Sequence, residues 1–245
     1  MTSGAPVQQG PTPDQHLLQI GTGFMLSAAV YAATKLGIAD QLAPGPRAVS
    51  DLAKAVGANE DGLYRILRAL AMVGIFAETA PRTFALTPPA EFLQTGKPGS
   101  MRDLALFMTD PLHFRVYAEM LHSVQTGKPA GEKVVGMPVF KYFEKDKEES
   151  DLFNRAMTSF SASVVPAVLE AYDFGGIRTL VDVAGGHGEV LTSILRRYPG
   201  MKGVLFDLDH VIAGAIPRIA GMGLQDRCRA ESGDFFKAVP SGGDA

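Results

Sequence analysis

Residues 181–190 read VDVAGGHGEV, and this run limits the possible folds more than any other stretch of the chain. Glycines at 185, 186 and 188 separate a short apolar strand over 179–183 from helical periodicity over 189–198. A second apolar strand covers 203–207, a second helix 211–220, and a third short stretch 227–231. Strand, tight turn, helix and strand in that order form a βαβα unit, and unbroken apolar strands predict a parallel sheet covered on both faces. A boundary is expected at Gly175-Gly176, where the texture of the chain changes. Glycine lets backbone approach a ligand closely. Two phosphate-binding patterns fail here. A dinucleotide fingerprint begun at Gly186 and Gly188 would need glycine where Leu191 stands, and no Gly-Lys-Ser/Thr follows.

Each candidate strand end carries an aspartate: Asp182, Asp207, and Asp234 within Ser232-Gly233-Asp234-Phe235-Phe236. A parallel sheet presents its strand ends to one crevice. A carboxylate there can accept both hydroxyls of a ribose, another can neutralise an ammonium, and a Phe beside an acceptor makes a slot for adenine. Loop capping would account for any one of these aspartates. Three in register with a glycine turn point to a shared ligand. His187 reads as an exposed turn histidine near a helix start.

The first 172 residues are mostly helical in pattern. Residues 1–13, with Gly4, Pro6, Gly10, Pro11 and Pro13, read as a loose tail. Residues 17–34 carry no charge, but Gln19, Gly21, Thr22, Gly23 and Ser27 dilute the run and basic flanks are missing. A buried helix is expected, with homodimerisation covering the faces that a small domain cannot. From 48 to 73, Ser50 is the expected cap of a short helix through Leu52, Ala53 and Val56. Gly57 turns the chain, and Leu63, Ile66, Leu67, Leu70 and Val73 mark a second helix. Ile75-Phe76-Ala77 and Phe84-Ala85-Leu86-Thr87 flank a turn at 80–82, the wing of a winged helix. Further helices are expected at 104–108, 114–124, 139–143 and 150–172, the last with a π-bulge, kink or boundary at Pro166.

Composition excludes several classes. The 245 residues are 46% apolar and carry a net charge of -3, so a sizeable core is possible and neither nucleic acid nor an anionic membrane is favoured as a partner. The single cysteine, Cys228, forbids a disulfide framework and multi-cysteine metal sites, which fits a reducing compartment. The first basic residue is Lys35, so no export signal is visible and the cytoplasm is the expected location. No cluster with metal-ligand spacing is seen.

The segment Asp182-x-Ala184-x-Gly186-x-Gly188 resembles the E/D-x-G-x-G-x-G turn of S-adenosylmethionine-dependent methyltransferases, with Ala184 departing by one methyl group. Together, TLVDVAGGHGEV, GVLFDLDHVI and GDFF closely resemble the small-molecule O-methyltransferases that carry an N-terminal winged-helix dimerisation domain. That family includes caffeate, acetylserotonin and bacterial polyketide enzymes. GFMLSAAVYAATKLGIADQL, SDLAKAVGANEDGLYRILRALAMVGIF and FALTP resemble its dimerisation segments, and VYAEMLHSVQTGKPA, GMPVFKYF and FNRAM its connecting helices.

The resemblance implies a mainly α winged-helix-like dimerisation domain over 14–98, connecting helices lining the acceptor pocket over 99–174, and the first βαβαβ portion of a Rossmann-like α/β domain over 175–245. It implies S-adenosylmethionine as cofactor and S-adenosylhomocysteine as product. Ala184, Gly185, Gly186 and Gly188, with Asp182 beside them, would meet the methionine end, Asp207 the ribose, and Asp234 and Phe235 the adenine, with Leu208 and Gly233 among the cofactor-binding residues. Phe107, Met108, Phe153, Met157 and Phe160 would line a pocket for a small aromatic acceptor. Methionine and phenylalanine at helical spacing equally describe a core. The family's catalytic histidine is expected beyond Ala245, and the chain is expected to be a shortened form or half of a split enzyme that takes a complementary C-terminal fragment. His16, His113, His122, His187 and His210 do not match the base's position.

Two other functions compete with methyl transfer: a winged-helix regulator with a ligand-sensing domain, and a protein of this fold that binds the cofactor without transferring methyl. Residues 48–73 balance Lys54, Arg65 and Arg68 against Asp51, Glu60 and Asp61, which disfavours a phosphate-binding face.

Overall fold

The computed structural model describes residues 10–245, and the chain divides into two compact units meeting at Glu91/Phe92. The part of the expected tail before residue 10 lies outside the described residues, and helix α1 (Pro13–Lys35) begins where that tail was expected to end.

In the first unit, α1 is followed by α2 (Ile38–Gln41), strand β1 (Arg47–Ala48), α3 (Val49–Val56), α4 (Glu60–Met72), β2 (Phe76–Ala80), β3 (Thr83–Leu86) and α5 (Pro88–Glu91). The three strands form an antiparallel sheet in the order β1-β3-β2. Leu52 of α3, Leu67 and Leu70 of α4, Phe76 of β2 and Phe84 of β3 are fully enclosed, so the helix pair and its wing share a core. The Asn59 side chain caps α4 by accepting from the Gly62 N–H at 2.9 Å.

Two expectations change here. Ser50 is not the cap of α3. Ala48, still paired with Thr83 of β3, is the last extended residue, and Val49 N–H donates to the Arg82 carbonyl at 2.8 Å, so the strand feeds the helix and Ser50 falls inside its first turn. Nor is α1 buried within one chain. Only Ala29, Ala33 and Thr34 are enclosed, while Leu17, Leu18 and Ile20 are each about two-thirds exposed or more. The helix packs on α4, and no face of its N-terminal half is covered. By length and composition alone α1 is sufficient to cross a membrane.

The second unit opens with six helices: α6 (Arg102–Met108), α7 (Pro111–Ala118), α8 (Met120–Thr126), α9 (Ala130–Val135), α10 (Val139–Lys145) and α11 (Lys147–Ala171). The helix expected over 114–124 is two helices, broken at Glu119, whose carboxylate is held by Lys133 of α9. The six residues of α9 are too few to show a period. No boundary or π-turn falls at Pro166, because α11 runs through it unbroken.

The rest of the unit alternates β4 (Thr179–Val183), α12 (Glu189–Arg197), β5 (Lys202–Asp207), α13 (Asp209–Gly221) and β6 (Cys228–Ser232). The sheet is parallel in the order β4-β5-β6. Leu191, Ile194 and Leu195 of α12 meet Leu205 of β5 and Ile212, Ala215 and Ile219 of α13 in one cluster. Burial on both faces holds for the middle strand only. β5 is enclosed from Gly203 to Phe206, whereas β4 is half-buried and Val183 exposed. The edge of β4 is partly occupied: Asp244 N–H donates to the Thr179 carbonyl at 2.8 Å, and Val181 N–H to the Ala245 carbonyl at 2.9 Å.

Candidate functional site

The turn after β4 is built from backbone shapes that side chains resist. Gly186 and Gly188 hold φ of +58° and +76°, and Ala184 holds +57°, the left-handed region in which a Cβ is strained. Gly185 is excluded from change for another reason. A Cβ there would lie 2.5 Å from Leu205 and 2.6 Å from the Asp182 carboxyl, so the turn lies directly on both.

Asp207, at the end of β5, ties the turn to the sheet. Its Oδ2 accepts from the Gly186 N–H at 2.8 Å and its Oδ1 from the Leu208 N–H at 2.7 Å. Each oxygen keeps a further lone pair, and the residue is partly exposed, so the carboxylate is oriented yet still able to accept two hydroxyls. Asp182 lies beneath the turn. Its Oδ2 is buried without a hydrogen-bond partner, and burial pushes its carboxyl up to about 6, helped by the nearby Asp207 and opposed by the Leu191 N–H. A buried carboxyl oxygen lacking a partner at a ligand turn fits an ammonium group.

Asp234 lies two residues beyond β6. Its Oδ1 accepts from the Phe236 N–H at 3.0 Å and its Oδ2 faces Lys237 Nζ at 3.2 Å, which together hold it below the usual carboxylate range. Gly233 N–H donates to the Asp207 carbonyl at 2.9 Å, and a Cβ at Gly233 would strike the Phe206 ring at 2.5 Å. Phe235 is half-exposed, its ring 4.3 Å from that of Phe236. The structure therefore brings Asp182, Asp207 and Asp234 to the same end of three adjacent strands. His187 is not an exposed turn residue: its half-buried ring fills the space above Gly214, where a Cβ would lie 2.8 Å from Nε2, and burial lowers its pKa.

The aromatic residues separate into two groups. Phe107, Phe153 and Met157 join a cluster with Phe143 and Ala156, while Met108 and Phe160 are about half exposed. Phe153 stacks on Phe143 at 5.0 Å and meets Phe107 edge-on at 5.4 Å. Phe143 belongs to this cluster and exposed Phe140 meets the Phe143 and Phe153 rings edge-on; neither is named as a pocket residue from the sequence, although GMPVFKYF places them three residues apart on one helix face. Among the described residues no group of three or more His, Cys, Asp or Glu side chains is placed to hold a metal ion.

Residues 117–245 match the O-methyltransferase domain and residues 18–96 the O-methyltransferase dimerisation domain. The chain belongs to the O-methyltransferase family. This O-methyltransferase chain is 42% identical over 228 residues to the phenazine O-methyltransferase PhzM of Lysobacter antibioticus, an alignment covering 93% of this chain and 67% of that protein. It is 36% identical over 231 residues to the mitomycin biosynthesis 6-O-methyltransferase of Streptomyces lavendulae, covering 91% of this chain and 64% of that one. The chain thus spans about two thirds of the length of these relatives. Among solved structures it superposes on LaPhzM with a TM-score of 0.91 at 41% identity, covering 96% of this chain and 70% of that chain. It superposes on the calicheamicin-biosynthesis methyltransferase in its S-adenosylhomocysteine-bound form with a TM-score of 0.75 at 32% identity, covering 94% and 69%. The winged-helix and Rossmann-like architecture is that of these neighbours.

Proposed function

We propose that the chain binds S-adenosylmethionine in the crevice at the ends of β4, β5 and β6 and serves methyl transfer to a hydroxyl of a small aromatic acceptor. The observation that carries this reading is the Asp207 carboxylate, fixed by the Gly186 and Leu208 N–H groups beside a buried Asp182 oxygen that lacks a partner. These residues fit the cofactor. Asp207 would accept both ribose hydroxyls, Asp182 would face the ammonium directly or through water, and Gly186 and Gly188 would let backbone lie against the methionine moiety. Leu208 would border the ribose, and Gly233, Asp234 and Phe235 would hold the adenine. When bound, the cofactor supplies an electrophilic methyl group on a sulfonium.

The protein's part is positioning. Phe107, Phe153 and Met157 would form the fixed wall of the acceptor pocket, and Met108 and Phe160, exposed in one chain, its adjustable margin. Proton removal from the hydroxyl is not assigned to any described histidine. The relatives' names support a fused or substituted aromatic acceptor, since one acts on a phenazine and another belongs to mitomycin biosynthesis.

The exposed apolar residues of α1 support a homodimer formed through this helix rather than a membrane span, and the matched dimerisation domain agrees. A cytoplasmic location goes with that reading. DNA binding is disfavoured by the start of α4, where Glu60 and Asp61 are paired with Arg82 of the wing at 2.8 and 3.0 Å and present acid where phosphate would lie. The test is thermal unfolding with and without S-adenosylhomocysteine, together with light scattering. A ligand at a hundred times its Kd should add about 2.7 kcal/mol of stability, and Ile20→Asp should turn a dimer into a monomer. No stabilisation, or a parent chain that is already monomeric, would contradict the respective half.

A further inference from the structure

A cleft of about 290 Å³ opens on a face of α11 different from the one that carries Met157 and Phe160. It is lined by Arg102 and Asp103 of α6, Thr158 and Ser159 of α11, Glu189 of α12 and Arg218 of α13, with a glycine-containing loop over 95–100 closing one side. Neither the cofactor crevice nor the aromatic cluster uses these side chains.

Its basic groups are only partly satisfied. Arg218 is ion-paired with Glu189 through Nη2, and Arg102 Nη1 lies 3.8 Å from an Asp103 oxygen that also faces Arg155 Nε at 3.4 Å. Yet Nε of Arg102 and Nε of Arg218 are both buried and without an acceptor. A buried guanidinium N–H left unmade is costly, and water or protein normally satisfies it. Among the lining residues the cations Lys97, Arg102 and Arg218 stand against two carboxylates, Asp103 and Glu189, and Arg155 faces Asp103 from beside the cleft, leaving a cationic surplus. Thr158 and Ser159 also line this space, and each carries a hydroxyl able to donate.

We propose that this cleft is a second ligand site, which binds an oxyanion, a phosphoryl or carboxylate group, between Arg102 and Arg218, with Thr158 and Ser159 donating to it. An oxyanion offers several acceptor lone pairs at once and is the partner for which guanidinium geometry is suited. Such a ligand would bridge α6 and α11 to α12 and α13, all within the second unit, and it is distinct in chemistry from a flat aromatic acceptor.

Calorimetric titration of the full chain tests this, with inorganic phosphate and acetate as separate probes and chloride holding the ionic strength constant. Saturable binding of either probe is expected, and whichever binds distinguishes a phosphoryl from a carboxylate ligand. Arg218→Met should weaken it at least tenfold and Ser159→Ala several-fold, while Arg196→Met, exposed on α12 outside the cleft, should leave it unchanged. Since Arg218→Met leaves Glu189 unpaired, Thr158→Val and Ser159→Ala decide the matter if that variant does not fold. No saturable response beyond chloride, or binding that ignores all the cleft variants, overturns the proposal.

Discussion

The winged helix of the first unit and the glycine turn of the second are both short, sharply bent segments, and they are stabilised in opposite ways. In the winged helix local choices agree with the fold. Asn59 caps α4, Gly57 and Gly74 take the left-handed positions at helix ends, and Leu63, Leu67 and Leu70 fall on one buried face. Its single strained residue, Arg82 with φ of +55°, is compensated: its N–H donates to Glu78 at 2.9 Å and its guanidinium pairs with Glu60 and Asp61 over the Tyr64 ring. In the glycine turn Ala184 carries the same strain with a backbone bond to the Phe206 carbonyl at 2.8 Å but no side-chain partner, Asp182 is buried without a full set of partners, and Gly185 has no room to change. Strain with no side-chain partner and an unsatisfied carboxyl oxygen in one turn mark a place kept for a ligand rather than for stability.

The largest effect that would break this contrast is at Gly185. Its missing Cβ leaves space already filled by Leu205 and Asp182, so Gly185→Ala should cost about 3 kcal/mol or prevent folding; urea unfolding measures it, and a neutral result would mean that the turn is not packed as described. Asp182 comes next. Its folded-state pKa of about 6 lies above the usual 3.8, so its protonated form is favoured by folding. The stability it contributes is complete below about pH 4 and is lost as pH rises through about 6, a fall of the order of 3 kcal/mol. Asp182→Asn should flatten that fall and be the more stable protein at pH 7, while binding the cofactor less well. A parallel pH profile in both proteins would contradict it.

The smallest effects sharpen the comparison by their opposite signs. Ala184→Gly relieves left-handed strain and should stabilise by about 0.5 to 1 kcal/mol. Arg82→Gly relieves the same strain but removes the pairing with Glu60 and Asp61, and should destabilise. Equal signs in thermal unfolding would show that the two positive-φ residues are not differently supported.

What was legible in the sequence follows from this difference. The helix pair, wing and alternating strands could be read because apolar spacing and turn residues agree with them, as at Leu63, Leu67 and Leu70. Ser50 misled because pairing of Ala48 with β3 outcompeted a good capping residue. The exposure of Leu17, Leu18 and Ile20 could not be read, because apolar content tells that a helix must be covered and not which surface covers it. Within the crevice, the aspartates and glycines announced themselves through spacing. The packing of His187 on Gly214 and the stacking of Phe143 on Phe153 depend on tertiary contacts that leave no local pattern.

The central claim is that the β4–β5–β6 crevice holds the cofactor through Asp207. Isothermal titration of S-adenosylhomocysteine into the parent chain and into Asp207→Ala tests it most directly. The account predicts one saturable site in the parent and a loss of affinity of about a hundredfold or more in the variant, as expected when a charged acceptor of two hydroxyls is removed. Equal affinity in the two proteins, with both folded, would contradict it.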